Sequence, residues 1–217
     1  DEGAVFKLHH AAVSVGSVSV AIDRSASGLQ VLGTPRRLDD NGDVIRDADN
    51  IIVPGSVYFT SFNDEEVGAD TNPNVEQTPA AGDWGGLIFN AKLDNAEGHL
   101  NLEDRGIFLN SVNQADIRYG GGAVVIDSIP RVITPVHITD ARPTVAYNRI
   151  VFSADAGMSA SPNSFEETNF RAPLFQAIPF IPDYDRVGPD IHGNRLTDNT
   201  INGLFIRIQT PSGTQLQ

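Results

Sequence analysis

The sequence predicts an all-β fold of stacked coils. Apolar residues fall in short runs that alternate with period two, as strands with one buried face require. Turn formers are frequent, with 20 Gly and 13 Pro against one Met and one Trp, and period-3.6 patterns are scarce. A loose unit of strand, Asn or Gly corner, strand and polar excursion recurs through the later half. Recurrence at a few tens of residues marks stacked repeats.

The runs follow in order. In "AAVSVGSVSVAI", Val13 and Val15 share one face, and Val18, Val20 and Ile22 share another after Gly16 and Ser17 slip the phase. A bulge or a corner produces such a slip. Then come "LQVLGT", "IIVPGSVYFTS", "GLIFN", "HLNL", "GIFLN", "ADIRY", "AVVIDS", "VHIT", "TVAYNRIVFS" and "INGLFIRIQT". Most are rich in Val and Ile and bounded by turn formers. The best helical pattern, "NFRAPLFQAI" (Asn169–Ile178), is broken by Pro173. "DDNGDV" (Asp39–Val44) carries a hairpin signal, but inside a polar insertion. "NQADIRYGGG", "RPTVAYNRIVFSADAG" and "LTDNTINGLFIRI" are variants of one theme. Asn suits their corners, since it tolerates the left-handed conformation and bonds to coils above and below.

Six segments carry a resemblance: "GAVFKLHHAAVSVG", "LQVLGT", "VYFTSFNDEEVGADTN", "GDWGGLIFN", "ADIRYGGG" and "GPDIHGNRLTDNTINGLFIRI". In this order the chain resembles the right-handed parallel β-helix repeats, pectin-lyase-like in architecture, of very large secreted bacterial surface proteins. The resemblance implies a right-handed parallel β-helix (a solenoid) with polar loop insertions and an extracellular or cell-surface location. It departs from the family in the insertions Pro35–Asn50 and Ser153–Pro182, which blur the period.

"GDWGG" is expected to open a coil. Gly82, Gly85 and Gly86 allow a tight turn, and Trp84 lies over the coil edge with its indole N–H on a loop carbonyl. Leu87 and Phe89 then enter the core, and Ile88 faces the other way.

The 217 residues, 40% of them hydrophobic, suffice for a real core. One β-helix domain over 1–217 is expected, a segment of a longer chain, because "DEGAVFKLHH" lacks a Met and a basic leader and "SGTQLQ" stops abruptly. A formal net charge of −13 argues against nucleic acid and anionic membranes and is compatible with cations. The chain has no cysteine, hence no disulfide or thiolate chemistry. No apolar stretch approaches the ~20 residues of a spanning helix, so membrane insertion is not expected.

Two polar clusters could carry chemistry. "NDEEVGADTNPN" (Asn63–Asn74) offers Asp64, Glu66, Asp70 and Asn72, with Glu65 and Asn74 beside them. Such oxygens suit Ca2+, although the spacing matches neither the EF-hand nor the nonapeptide loop. A solvated acidic loop is the plainer reading. "PDYDRVGPDIHGN" (Pro182–Asn194) holds Asp183, Asp185 and Arg186, with Asp190 and His192 following. The resemblance implies that an enzyme on this scaffold, a polysaccharide lyase or glycoside hydrolase, would use these carboxylates and the basic residue. Structural pairing is the plainer reading here too. His9 and His10 are expected on opposite faces of a strand, and the other histidines are isolated.

The function expected is a non-catalytic structural or adhesive module, calcium-stabilised where the acidic loop binds a cation. Uncovered coil ends imply end-to-end self-association. The alternative is the β-helix enzyme just described. A third reading, binding of a polysaccharide or surface ligand along Tyr119, Tyr147 and Tyr184, has few aromatics behind it.

Overall fold

The computed structural model describes residues 3–17, 27–91, 110–126, 128–165 and 189–207. The chain passes repeatedly through three sheets in fixed order. The first circuit is β1 (Val5–Leu8), β2 (Val13–Val15) and β3 (Gln30–Leu32), and the second is β4 (Val57–Ser61), β5 (Leu87–Asn90) and β6 (Ser111–Asn113). In the third, β7 (Ala115–Arg118) leads through a hairpin, β8 (Ala123–Ile126) and β9 (Ile129–Val132), to β10 (Val136–Thr139) and β11 (Thr144–Ala146). Then follow β12 (Arg149–Val151), β13 (Ala156–Ala160) and β14 (Asp190–His192), and finally β15 (Arg195–Thr197) and β16 (Ile201–Ile206). The sheets are β1-β4-β7-β12-β15, β2-β5-β10-β13-β16 and β3-β6-β11-β14, every pair in them parallel. The fold is thus nearly all-β, with stacked parallel strands consistent with a β-helix.

Register explains why period two is visible without a clean repeat length. Phe6, Phe59, Ile117, Ile150 and Leu196 stack in the first sheet. In the second, Val13, Leu87, Val136, Met158 and Leu204 stack beside Val15, Phe89, Ile138, Ala160 and Ile206. In the third it is Val31, Val112, Val145 and Ile191. Their middle rungs form one buried cluster. Full burial of each large aliphatic stabilises by about 1.5–3 kcal/mol, so the interior files hold the circuits together. The rung numbers show unequal spacing because excursions of different length leave the circuits.

Corners between sheets are left-handed turns followed by side-chain staples. Gln114, Tyr147 and Gly193 have positive φ after the third sheet, and Tyr119, Phe152 and Asp198 after the first. Asparagine therefore does not supply the left-handed residue at these corners; only Asn50, in an insertion, has positive φ among described asparagines. Its part is to cross-link coils. Asn148 accepts from the Ala115 N–H (2.9 Å) and donates to the Val112 carbonyl (2.9 Å). Asn194 donates to the Val145 carbonyl (2.7 Å) and accepts from Asn148, and Asn199 donates to the Ile150 carbonyl (2.8 Å).

The excursions correct other expectations. The 35–50 insertion contains two successive small hairpins, bridged antiparallel at Leu38–Val44 and Arg46–Ile52. In each an Asp caps the turn: Asp39 Oδ1 accepts from the N–H groups of Asn41 and Asp43, and Asp47 Oδ1 from those of Asp49 and Ile51. Ile52 then packs with Tyr58 and Val67 on the outer face of the first sheet. The second expected insertion starts too early, because β13 is a rung of the second sheet, in register with β10 and paired to β16 with a register shift between Ala156 and Met158. "AVVIDS" is no rung but half of the antiparallel hairpin β8–β9, whose Val124 covers Ile88 with Ile133. His9 and His10 lie in a bend rather than a strand, with ring centroids 4.0 Å apart. The runs "HLNL" and "GIFLN", residues 18–26 and the helical pattern at Asn169–Ile178 lie outside the described residues, apart from Asn110 at the end of "GIFLN".

Candidate functional site

Trp84 joins the interior cluster, its ring stacked on Phe59 with centroids 6.4 Å apart. It is fully buried, and its Nε1 donates to the Arg118 carbonyl at 2.7 Å. That acceptor is the end of strand β7 rather than a loop. Gly82 takes φ +88°, while Gly86 has another cause: a Cβ there would meet the Thr134 carbonyl oxygen at 2.1 Å. Leu87 and Phe89 point inward and Ile88 outward, under the hairpin.

The same β7 terminus anchors the acidic loop. Arg118 points to the outer face of the first sheet but is only 4% exposed, because the loop folds over it. Its Nη1 lies 3.3 Å from Asp64 Oδ2, and its Nη2 pairs with Glu66 Oε2. Asp64, fully buried, also accepts from Thr60 Oγ1 and the Glu66 N–H. Glu66 Oε1 meets Arg46 of the second small hairpin at 3.3 Å. Burial pushes the Glu66 carboxyl up, but the Arg118 and Arg46 guanidiniums outweigh it and hold it below the usual range. Burial lowers Arg118, yet Asp64 and Glu66 outweigh it and raise its pKa. Arg118 also lies over the Tyr119 ring, 5.3 Å from its centroid, and Tyr119 stacks on Phe152.

Of the four predicted calcium ligands, Asp64 and Glu66 are thus brought together, but around a cation that the chain itself supplies. Asp70 accepts from the Asn72 N–H at 2.7 Å in a local turn. Among the described residues no group of three or more His, Asp or Glu side chains is placed to hold a metal ion.

A second arginine cluster lies one rung position away. Asp116, 2% exposed, receives Arg149 Nη1 at 3.1 and 3.3 Å, and Arg36 Nε approaches to 3.9 Å. Burial raises the Asp116 carboxyl despite Arg149, Arg118 and Arg36. Comparisons with protein-family models, with curated proteins and with solved structures return no match.

Asp183, Asp185 and Arg186 lie outside the described residues, as does Tyr184. Their neighbours Asp190 and His192 are on β14, where His192 Nδ1 is 2.9 Å from Asp190 Oδ1 in an exposed pair. The His192 ring meets Tyr147 edge-on at 5.1 Å. His137 is packed on the outer face of the second sheet, 2.9 Å from Ser159 Oγ. Burial, with Arg207 and Arg131 adding to it against Asp155, pushes its imidazole down to about 4.

Sequence reasoning missed the arginines. One signal was present: in "ADIRY", Asp116 and Arg118 occupy the alternate positions of a strand whose other residues, Ala115 and Ile117, are core. Charges on a strand flanked by long insertions mark a face that an insertion covers.

Proposed function

We propose that the chain is a segment of right-handed parallel β-helix serving as a non-catalytic structural or adhesive module of an exported bacterial surface or matrix protein. The observation that carries this reading is the in-register stacking of inward side chains across successive circuits, a construction whose output is length and stiffness. The polar clusters favour the same side. Asp64, Glu66 and Asp116 spend their charge on Arg118, Arg46 and Arg149. Inward rung residues at the described ends remain exposed, Phe6 on one side and Leu204 and Ile206 on the other. That exposure favours end-to-end contact with a further coil, from this chain or a second copy. The net charge of −13 keeps rods apart laterally.

Calcium has weaker support, since Arg118 already occupies the centre of the acidic loop. A polysaccharide lyase or hydrolase built on Asp183, Asp185 and Arg186 is the alternative. Incubation with pectin, polygalacturonate and alginate, followed for unsaturated products and new reducing ends, decides between them. The module reading expects no product, and concentration-dependent elongated species in sedimentation; saccharide cleavage overturns it. Melting with and without added calcium is expected to give the same midpoint, whereas a large upward shift assigns the loop a metal.

A further inference from the structure

A cleft of about 210 Å³ opens at the corner between the third and first sheets, lined by Pro35, Arg36, Leu38, Ser56, Gln114, Ala115, Tyr147 and Arg149. In a chain of net charge −13, its wall carries two arginines and no carboxylate among the described residues. Asp116 lies behind them, buried, and is the acidic partner of both. Arg149 reaches it through Nη1 alone. Arg36 makes only the 3.9 Å approach and no hydrogen bond among the described residues. Both side chains keep roughly a quarter of their surface exposed, at 23% and 24%. Two guanidinium forks with unspent N–H donors, set against one carboxylate, leave a local excess of one positive charge. A planar anion that accepts two parallel N–H bonds matches such donors.

The rest of the wall selects the body of the ligand. Pro35, Leu38, Ala115 and the half-exposed ring of Tyr147 are apolar. At about 30 Å³ per water, the volume holds roughly seven waters, which suits a molecule of about ten heavy atoms.

We propose that this cleft binds a small monocarboxylate with an apolar body, its carboxylate held between Arg36 and Arg149 and its apolar part against Tyr147 and Leu38. One unit of negative charge neutralises the local excess. A dianion such as phosphate overshoots it and meets the field of the acidic protein.

Benzoate is the probe, titrated into the full chain by calorimetry and by NMR of the backbone amides, with benzamide and inorganic phosphate in parallel. Expected are saturable binding of benzoate, shifts confined to the Gln114–Ala115 and Tyr147–Arg149 amides and those around Arg36, and no saturable response to benzamide. Arg36→Gln, which removes only a long ion-pair contact, is expected to weaken binding by about tenfold or more, and Tyr147→Ala to weaken it while leaving its charge selectivity intact. Matched melting curves for the wild type and Arg36→Gln keep a folding defect distinguishable. The proposal is overturned by benzoate that does not saturate, by shifts elsewhere on the molecule, by binding that Arg36→Gln leaves unchanged, or by phosphate binding as tightly as benzoate.

Discussion

Replacing Asn148 by alanine removes a side chain that touches three successive circuits. Its Oδ1 accepts from the Ala115 N–H at 2.9 Å, and its Nδ2 donates to the Val112 carbonyl and to Asn194 Oδ1, both at 2.9 Å. Val112 and Ala115 are buried, at 0% and 3% exposure, so no water replaces the lost partner. Each orphaned buried group costs about 1–3 kcal/mol, while Asn194, partly exposed, recovers some hydration. The expected loss is about 2–4 kcal/mol, read as a lower urea midpoint at unchanged slope. Asn41→Ala, on an exposed hairpin tip, serves as the control and is expected to change stability by under about 0.5 kcal/mol. A loss of under about 1 kcal/mol for Asn148→Ala refutes the view that asparagines staple the coils.

Arg118→Met leaves the Asp64 carboxylate buried without its cation, which costs about 3–5 kcal/mol; the double variant Arg118→Met/Asp64→Asn is expected to recover much of that loss in urea unfolding. His137 gives a pH signature. Unfolded, it titrates near 6.5; folded, it is held neutral down to about 4. Between those values only the unfolded chain takes up the proton, so stability falls as pH drops through that window and its contribution levels off below. The contribution is about 2 kcal/mol between pH 7 and 4.5, and His137→Gln is expected to shrink the measured stability difference between those pH values by that amount.

Much of the architecture was legible because the interior imposes a simple rule. Val13 and Val15, Leu87 and Phe89, and Ile117 beside Ala115 alternate in sequence as they do in space. The corners were half legible. Asparagine was recognised there, but at Asn148 and Asn199 the left-handed backbone falls on the preceding residue, Tyr147 and Asp198, and at Gln114 it falls on a residue with no composition signal. Excursions were the least legible: they pair locally as hairpins, but the surfaces and charges they cover belong to distant strands. Asp64 and Glu66 read as a cation site because a sequence shows carboxylates but not that Arg118, over fifty positions later, folds beneath them. "AVVIDS" is the strand its run predicts, but a run alone does not show whether the partner is parallel or antiparallel.

The central claim is that successive circuits lie parallel and in register, and paired cysteines test it against a clean background, since the chain has none. Ser111 and Asn113 on β6 face Thr144 and Ala146 on β11. Cα atoms of directly paired residues lie about 4.8 Å apart, within disulfide reach. The account predicts that Ser111→Cys/Thr144→Cys and Asn113→Cys/Ala146→Cys both oxidise readily to an intramolecular bridge, while Ser111→Cys/Ala146→Cys and Asn113→Cys/Thr144→Cys do not. Bridges in the second two pairs, and none in the first two, contradict it, because that pattern belongs to antiparallel strands.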